Sequence, residues 1–518
     1  MGYDLAGPAV RAAAAGPFLP LGRPNIILIT LDTVRADHLS SYGYPRPTTQ
    51  NLDKWVGKGV VFENAIAPTS WTLASHASMF TGSLPHQHGA DWRTPLRTSR
   101  LTLADVLKAW GYETAGFTSN IAYGEAGWGM DDGFDLYEDN RRSLPHSLME
   151  MKLGMRVLDP LYQRWLWPDY FERRDATRVN QDVLDWFQGR SPRPFFLFIN
   201  YFDVHDPYLA PRYFAHRFGN APPKLMRKMK FAFTTQGVAH LSAQDQAALV
   251  AGYDNSLASL DQSVGDLLNS LSHLPQWQNT VVIITSDHGE GFGEHGTYGH
   301  GMNLYREELR VPLLIFGMQV PAGIRVSKVV STQDLFSTVL KFAANDVAQL
   351  SPTALQRYWT LAGDAGDLDE LAVAELTPKF ESTGRGAEMS LWTRDWEYIR
   401  NAQGGEELYR WTQDPGEQVN LAGSAEYRPV VDAFRARLFA VIRDSRRPWQ
   451  GPQYLAGSAG LQQSEVNVAA APAELSSSGH VPVPHIGDAQ DLFPPRPVLS
   501  AGALQPPDEE LLQSLPYH

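Results

Sequence analysis

Three uninterrupted apolar runs constrain the fold of this chain more strongly than any other feature of its sequence. They are N-I-I-L-I-T-L at 25–31, F-F-L-F-I-N-Y at 195–201 and T-V-V-I-I-T at 280–285. Such runs are typical of strands that are buried on both faces of a parallel sheet. Segments with helical periodicity alternate with them, at 101–110, 175–189, 242–271 and 334–343. The alternation predicts an α/β fold in which helices cover both faces of a mainly parallel sheet.

The pattern of the sequence changes after about residue 345. Up to that point, further strands are predicted at 112–117, 311–316 and 326–330. Beyond it, short strands at 372–375, 389–392, 397–400 and 407–411 precede a helix at 427–442. We therefore expect a loose N-terminal leader at 1–24, a main α/β domain at 25–345, a small antiparallel α+β domain at 346–446 and a Pro/Ser/Gly-rich, mostly disordered tail at 447–518.

The composition excludes several classes of function. A formal net charge of −13 argues against nucleic-acid binding, because no surplus of Lys and Arg is present to neutralise phosphates. The absence of cysteine excludes disulfides, thiolate metal ligands and cysteine nucleophiles. No apolar run approaches the roughly 18 residues of a spanning helix, and the leader lacks a clear signal-peptide pattern. We expect a soluble, cytoplasmic protein whose oligomeric state the sequence does not indicate.

Thr72 is predicted to begin a short helix. It follows the loop A-P-T-S at 67–70, and apolar residues then recur at helical spacing as far as Gly82. A hydroxyl at this place lies among free backbone N–H groups at the positive end of the helix dipole, which stabilises an oxyanion or an attacking alkoxide. The alternative is that Thr72 or Ser70 is only a helix cap.

Polar residues with metal-binding or proton-transfer chemistry follow the predicted strands. They are Asp32, Asn120, Asp203, His205, Asp287 and His288. Since the carboxyl ends of parallel strands meet at one edge of a sheet, we expect these side chains to converge. The alternative for any one of them is a cap or a hydrogen-bonded core residue.

The predicted convergence contains a metal site. Asp32, Asp287 and His288, together with the Thr72 hydroxyl, offer three oxygens and one nitrogen, a set that suits zinc or manganese better than calcium. His205 and His300 remain as partners for a substrate anion, as a general acid, or as ligands of a second metal.

The segment at 141–172 differs from its surroundings, because tryptophans and other apolar residues are interleaved with Arg and Lys. It is interpreted as a peripheral membrane contact, a lid over the site, or an inserted helical hairpin packed on the main core.

Several longer motifs occur in a characteristic order. They are L-D-T-V-R-A-D-H-L-S-S-Y-G-Y at 31–44, P-T-S-W-T-L-A-S-H-A-S-M-F-T-G at 68–82, Y-F-D-V-H-D-P-Y at 201–208, S-D-H-G-E-G-F-G-E-H-G-T-Y-G-H-G at 286–301 and R-V-P-L-L-I at 310–315. Together they resemble the sulfatase family of the alkaline phosphatase superfamily, and the likeness covers about 25–345. E-E-L-Y-R-W-T-Q-D-P-G-E-Q-V-N-L at 406–421 is similar to the small C-terminal domain of that family.

The resemblance implies an alkaline-phosphatase-like α/β/α sandwich and a small-molecule, lipid or glycan ester as substrate. The site residues that it implies are a nucleophile at Thr72, metal ligands at Asp32, Asp287 and His288, and anion contacts from His205 and His300. From their positions we also expect His76 and Asn120 to contact the substrate.

The chain departs from the family pattern at the nucleophile. Sulfatases place a cysteine or serine, converted to formylglycine, where Thr72 stands, at the head of a C/S-x-P-S-R motif that is T-L-A-S-H here. The family's Asp-Asp pair is Asp32-Thr33, His300 replaces a lysine, and another expected lysine falls near Ser119. A threonine cannot become formylglycine, so we expect none.

Threonine nucleophiles occur in related phosphodiesterases and phosphoethanolamine transferases. Three hypotheses follow. The first is a metal-dependent phosphoester hydrolase or transferase that acts through Thr72, and it is the favoured one. The second is a sulfate-ester hydrolase that works without formylglycine. The third is a non-catalytic descendant that binds a metal or an anion.

Overall fold

A computed structural model of the chain describes residues 22–96, 101–120, 123–124, 126–139, 174–226, 229, 241–344, 353–360, 370–377 and 385–445. Most of the predicted leader, the segment at 141–172 and the predicted tail from 447 lie outside these described residues. No helix within the described ranges is long and apolar enough to span a lipid bilayer.

The centre of the fold is a sheet that has eight strands in the described part of the chain. Its strands are β1 (Asn25–Leu31), β2 (Gly59–Ile66), β3 (Glu113–Thr118), β4 (Leu136–Glu138), β5 (Phe195–Tyr201), β6 (Thr280–Thr285), β9 (Arg310–Gly317) and β10 (Ile324–Ser331). Their spatial order is β10-β2-β9-β6-β1-β5-β3-β4. Strand β9 runs antiparallel to both of its neighbours, and the other pairings are parallel. A separate hairpin joins β7 (Gly291–Phe292) to β8 (Tyr298–Gly299).

Helices cover both faces of this sheet. The α-helices of the described ranges are α1 (Asp53–Val56), α2 (Thr72–Thr81), α3 (Pro85–His88), α4 (Leu103–Ala109), α5 (Ala176–Gly189), α6 (Ala243–Ser272), α7 (Arg306–Leu309), α8 (Leu335–Ala344), α9 (Arg357–Thr360) and α10 (Arg428–Ser445). Helices α2, α4 and α8 share one hydrophobic core with one face of the sheet. Helices α5 and α6 share the core on the opposite face. The predicted α/β/α sandwich is confirmed.

Strands β1, β5 and β6 have the bounds that their apolar runs predict, and burial explains why. Every residue of these three strands is buried, so an uninterrupted apolar sequence is what each position requires. Strand β2 was not predicted from the sequence. Its apolar pattern is broken at Glu63 and Asn64, and the pairing register with β9 and with β10 shifts across this part of the strand.

A small antiparallel sheet follows the main sheet, as predicted. Its strands are β11 (Ala372–Leu376), β12 (Glu388–Trp392), β13 (Glu397–Asn401) and β14 (Glu406–Tyr409), paired in sequence order. Helix α10 packs on it through Val431 and Leu438, which share a buried cluster with Tyr398. The Glu375 backbone N–H of β11 donates to the Pro68 carbonyl at 2.9 Å, so the small sheet adjoins the loop that leads into α2.

Buried carboxyl groups lie where the small sheet meets the main body. Glu397 is fully buried, and among the described residues neither of its carboxylate oxygens accepts a hydrogen bond. Burial, together with the neighbouring Glu417 carboxylate, raises the pKa of Glu397 well above its usual value. Glu417 is 1% exposed, and burial raises its pKa to about 7. His295, whose Nδ1 lies 2.9 Å from Glu307 Oε1, closes the cluster.

Glu397→Gln is expected to raise the melting temperature at pH 8 and to have a smaller effect at pH 5. Above about pH 4.5 the unfolded chain ionises Glu397 while the folded chain retains its proton, so wild-type stability falls by up to about 1.4 kcal/mol for each pH unit until the folded pKa is reached. Glutamine removes this term, and its amide can donate to Glu417. Melting temperatures measured from pH 5 to pH 9 test this, with the exposed Glu426→Gln as control. A variant that is no more stable than wild type at pH 8 would show that Glu397 is already ionised in the fold.

Candidate active site

The candidate site lies where adjacent parallel strands end. Strands β1 and β6 pair with Thr30 opposite Thr285, so the residues that follow them emerge at the same edge of the sheet. Asp32, Asp287 and His288 are all fully buried there. One ligand atom from each of these three side chains lies within 4.8 Å of the others. The structure therefore brings together the three residues that the strand ends predict as metal ligands.

The donor atoms of this cluster fit a divalent cation. Asp287 Oδ1 accepts hydrogen bonds from the backbone N–H groups of Thr33 at 3.2 Å and His288 at 2.9 Å. Asp287 Oδ2 is also buried but accepts no hydrogen bond from the described residues. Asp32 lies within the same cluster, and two buried carboxylates this close are costly unless a cation compensates their charge. Asp32, Asp287 and His288 would hold that cation.

The environment of His288 presents the correct nitrogen to a metal. Its Nδ1 lies 2.9 Å from the Gly289 carbonyl, which can only accept, so Nδ1 carries the proton and Nε2 keeps its lone pair. Burial lowers the pKa of His288 to about 4, so the imidazole is neutral at pH 7. Its Nε2 lies 3.1 Å from Thr72 Oγ1, which places the hydroxyl at the metal-binding side of the ring.

Thr72 is the first residue of α2, and its hydroxyl does not cap the helix. The N-cap residue is Trp71, which has extended backbone angles and no side-chain capping bond. Ser70 Oγ instead donates to the Asn303 carbonyl at 2.9 Å. The alternative interpretation of Thr72 or Ser70 as a cap is therefore wrong. One turn further on, Ser75 Oγ donates to the Asp287 carbonyl at 2.6 Å, and this bond holds α2 against the end of β6.

His76 supports Thr72 from the interior of the protein. Its Nδ1 lies 2.8 Å from the Thr72 carbonyl and its Nε2 lies 2.9 Å from Thr30 Oγ1, so both ring nitrogens are hydrogen-bonded. Burial lowers the pKa of His76, which favours the neutral ring. The side chain is 3% exposed and packs edge-on against Phe198. Contact with a substrate, as predicted for His76, would require it to break one of these bonds.

Asn120 is hydrogen-bonded to a predicted metal ligand. Its Nδ2 donates to Asp32 Oδ2 at 2.9 Å, and its Oδ1 accepts from the Tyr123 backbone N–H at 3.0 Å. These bonds fix the orientation of the Asp32 carboxylate, which is the arrangement expected of a group that supports a metal ligand. The structure thus places Asn120 beside the predicted metal, and 1% of its surface is exposed.

Three imidazole rings line one side of the site. The His300 ring lies 4.4 Å from His288 and 4.8 Å from His205, measured between ring centroids. His300 Nδ1 contacts Glu290 Oε1 at 3.1 Å, and His205 Nδ1 contacts Asp206 Oδ1 at 2.7 Å. The structure therefore places His300 next to the predicted metal ligand His288 and His205 next to His300, and carboxylates contact both rings.

Sequence reasoning gave no role to Glu290 or Trp71. Burial raises the pKa of Glu290 to about 8, and the carboxyl group is the partner of His300. The position of Glu290, two residues after His288 in D-H-G-E, could have indicated that it lies in the site. Trp71 packs against His300 with ring centroids 5.6 Å apart, and no local pattern indicates that contact. Asp203, also predicted at this edge, accepts from the Ala176 backbone N–H at 3.0 Å and so holds the start of α5.

Comparisons with known proteins identify relatives of this chain. The sulfatase family model matches residues 24–345. An arylsulfatase of Clostridium perfringens is 24% identical over 475 residues, which span 80% of this chain and 93% of the relative. A multifunctional alkaline phosphatase superfamily protein of Trinickia caryophylli is 26% identical over 391 residues, which span 62% of this chain and 74% of that protein.

A solved structure shows the same fold. The phosphonate monoester hydrolase of Agrobacterium radiobacter superposes with a TM-score of 0.66 at 19% identity, covering 82% of this chain and 96% of that one. The family match extends over more than half of the chain and contains the predicted metal ligands and Thr72. The chain therefore belongs to the sulfatase family, and it is an ester-hydrolase enzyme.

Proposed function

We propose that this enzyme cleaves phosphate or sulfate esters through Thr72, with phosphoesters preferred, and passes the anion to water or to an acceptor hydroxyl. One observation carries the proposal. The Thr72 hydroxyl is at the first turn of α2 and lies 3.1 Å from the nitrogen of His288 that faces the metal site. The alternative is a sulfate-ester hydrolase that works without formylglycine.

The reaction has two steps on one side chain. Thr72 Oγ1 forms a bond to phosphorus while the bond from phosphorus to the leaving-group oxygen breaks. Water or an acceptor hydroxyl then attacks the phosphothreonine and restores the hydroxyl. A divalent ion held by Asp32, Asp287 and His288 would lower the pKa of the nucleophile and offset negative charge on the substrate.

His300 and His205 line the open side of the site and complete the proposal. His300 lies next to His288, where a substrate anion would lie, and His205 lies next to His300. Both rings can donate hydrogen bonds to the oxygens of that anion or a proton to the leaving group. Asn120 and His76 act indirectly in this scheme, the first through Asp32 and the second through the backbone of Thr72.

The nucleophile favours phosphoryl chemistry. The chain has no cysteine and carries threonine at the family's nucleophile position, so formylglycine is not expected. The ester that Thr72 forms must then be cleaved by attack of water or an acceptor on the transferred group itself. A phosphoryl group allows this attack at phosphorus. The similarity to a phosphonate monoester hydrolase and to a multifunctional alkaline phosphatase superfamily protein supports phosphorus esters as substrates. The similarity to an arylsulfatase supports the alternative that sulfate esters are the substrates.

The proposed metal is zinc or manganese. Two carboxylates, an imidazole nitrogen and a hydroxyl form a mixed oxygen and nitrogen set, whereas calcium prefers more oxygen ligands. Thr33 stands where the family places a second aspartate, which removes one negative charge from the set. The retained ligands also argue against a non-catalytic descendant, the third hypothesis from the sequence.

A substrate panel tests the proposed function. The purified chain is loaded in turn with zinc, manganese or calcium and assayed with 4-nitrophenyl phosphate, bis(4-nitrophenyl) phosphate, a phenylphosphonate monoester and 4-nitrophenyl sulfate. We expect the highest kcat/KM on a phosphorus ester with zinc or manganese. A sulfate ester that is turned over faster than every phosphorus ester would support the alternative instead.

A further inference from the structure

His300 follows a hairpin whose two ends both lie at the candidate active site. The hairpin consists of β7 and β8, with Glu290 directly before β7 and His300 directly after β8. The two side chains meet, since His300 Nδ1 lies 3.1 Å from Glu290 Oε1. Because His300 is at the second end of the hairpin, its position depends on what holds the turn that follows it.

Helix α7 contacts the first end of the hairpin through its backbone. The Gly289 N–H donates to the Glu308 carbonyl at 2.7 Å, and the Glu290 N–H donates to the Glu307 carbonyl at 3.0 Å. A Cβ atom at Gly289 would overlap the Glu307 carbonyl oxygen, so glycine is required for this close approach. Helix α7 therefore lies directly beside the segment that joins His288 to the hairpin.

The Glu308 side chain binds the second end of the hairpin. Its Oε2 accepts from the backbone N–H groups of Gly301 at 2.9 Å and Met302 at 3.3 Å, the two residues directly after His300. Glu308 is fully buried. Burial, together with the charge of Glu307, raises the pKa of Glu308 well above its usual value, which favours a neutral carboxyl group. A neutral group can be buried here without a cation beside it.

Packing restricts the same turn. Gly301 has a φ of +73°, and a Cβ atom there would lie 2.5 Å from Trp71 Cε3. The Trp71 indole also contacts the His300 ring, with ring centroids 5.6 Å apart. Gly301 and Met302 are both buried, so their N–H groups would lose a costly hydrogen bond without the Glu308 oxygen. Loss of that oxygen should therefore displace the turn, and the His300 ring with it.

We propose that Glu308 is a positioning residue for His300, an inference that rests on the proposed role of His300 beside the substrate anion. Glu308 fixes the turn after β8, and the turn sets where the His300 ring lies relative to His288. The Glu308 carboxyl group is not itself catalytic, because its effect on the reaction passes through His300.

Substitutions at Glu308 test this role. Glu308→Ala removes the acceptor and should lower kcat/KM about a hundredfold on the panel ester that wild type cleaves fastest, because a displacement of about 1 Å has an effect of this size. Glu308→Gln keeps an oxygen acceptor in a neutral group and should stay within about threefold of wild type. Metal content should be unchanged in both variants, since no predicted metal ligand is altered. If Glu308→Ala does not fold, Glu308→Asp replaces it, because the shorter side chain also withdraws the oxygen.

A double-mutant cycle separates positioning from a general loss of structure. His300→Ala alone should lower kcat/KM about a hundredfold. Adding Glu308→Ala to it should cause less than about a threefold further loss, because the ring that Glu308 positions is absent.

The matched control is Asp261 of α6, another buried carboxyl group that binds two backbone N–H groups. It accepts from Asn51 and Leu52, both at 2.9 Å. Asp261→Ala should lower the melting temperature and keep kcat/KM within about threefold of wild type.

The outcomes distinguish this inference from the proposed function. Near-normal kcat/KM in Glu308→Ala, or losses that multiply in the double variant, would overturn the positioning role alone. Near-normal kcat/KM in His300→Ala would overturn the proposed role of His300 and this inference with it. No turnover of any ester by the wild-type enzyme would overturn the proposed function as a whole.

Discussion

Thr72→Ala is expected to lower kcat by at least about a thousandfold on every substrate of the enzyme. The change deletes the hydroxyl that lies 3.1 Å from His288 Nε2 and leaves the helix otherwise intact, since Trp71 is the N-cap residue. The loss of one buried hydrogen bond should cost only about 1 kcal/mol of folding free energy. Turnover and melting temperature, measured on the same preparation, separate the chemical role of the hydroxyl from a structural one.

Two variants sharpen this expectation. Thr72→Ser keeps a hydroxyl and should retain a measurable part of the activity. Thr81→Ala removes another buried hydroxyl of α2, one that donates to the Ala77 carbonyl at 2.7 Å, and should leave kcat close to wild type. Mass spectrometry after mixing with a slow phosphodiester should find a phosphoryl group on the peptide that contains Thr72. Near-normal turnover in Thr72→Ala would instead point to water as the attacking group.

Asp287→Asn is expected to release most of the bound metal and therefore to lower the activity by at least about a thousandfold. Asparagine can keep the Oδ1 atom that accepts from the backbone N–H groups of Thr33 and His288, so the local fold should be preserved. What it loses is the charge and Oδ2, the buried oxygen that accepts no hydrogen bond from the described residues. We expect about one metal ion per wild-type chain by elemental analysis after dialysis, and well under half of that in the variant.

The control for Asp287→Asn is an equally buried carboxylate elsewhere. Asp254 on α6 is fully buried and binds His38, Tyr44 and Arg46. Asp254→Asn should lower the melting temperature, because these three partners connect the segment after β1 to α6. It should keep the metal, because none of the partners is a predicted metal ligand. Full metal occupancy in Asp287→Asn would show that the ligand assignment is wrong.

Helix α2 shows how far local patterns reach. Its periodicity predicts the helix, and the loop before it predicts the start at Thr72. The sequence could not show whether the Thr72 hydroxyl caps the helix or faces the metal site, because either role suits a residue at this position. The answer depends on the bond from Ser75 to the Asp287 carbonyl, a contact across 212 residues that fixes how α2 docks on β6.

His76 and Asn120 show what sequence patterns cannot predict about single residues. Both were expected to contact substrate, His76 because it lies in the motif at 68–82 and Asn120 because it follows a predicted strand. In the structure His76 is hydrogen-bonded to the Thr72 carbonyl and Asn120 to Asp32 Oδ2, so each contacts another predicted site residue. Residue type and spacing place a polar side chain near a site, but its hydrogen-bond partners are set by neighbours from other strands.

The sequence by itself determined the buried strands and the convergence of the predicted metal ligands at their ends. A strand covered on both faces must be apolar throughout, and residues that follow adjacent parallel strands must meet at one edge, so local sequence was enough for β1, β6, Asp32, Asp287 and His288. Only the tertiary structure decided the antiparallel direction of β9 and the contact between His86 of α3 and Glu375 of β11, which are 289 residues apart along the chain. Direction and long-range contact depend on how whole layers pack, and no local pattern of apolar and polar residues carries that information.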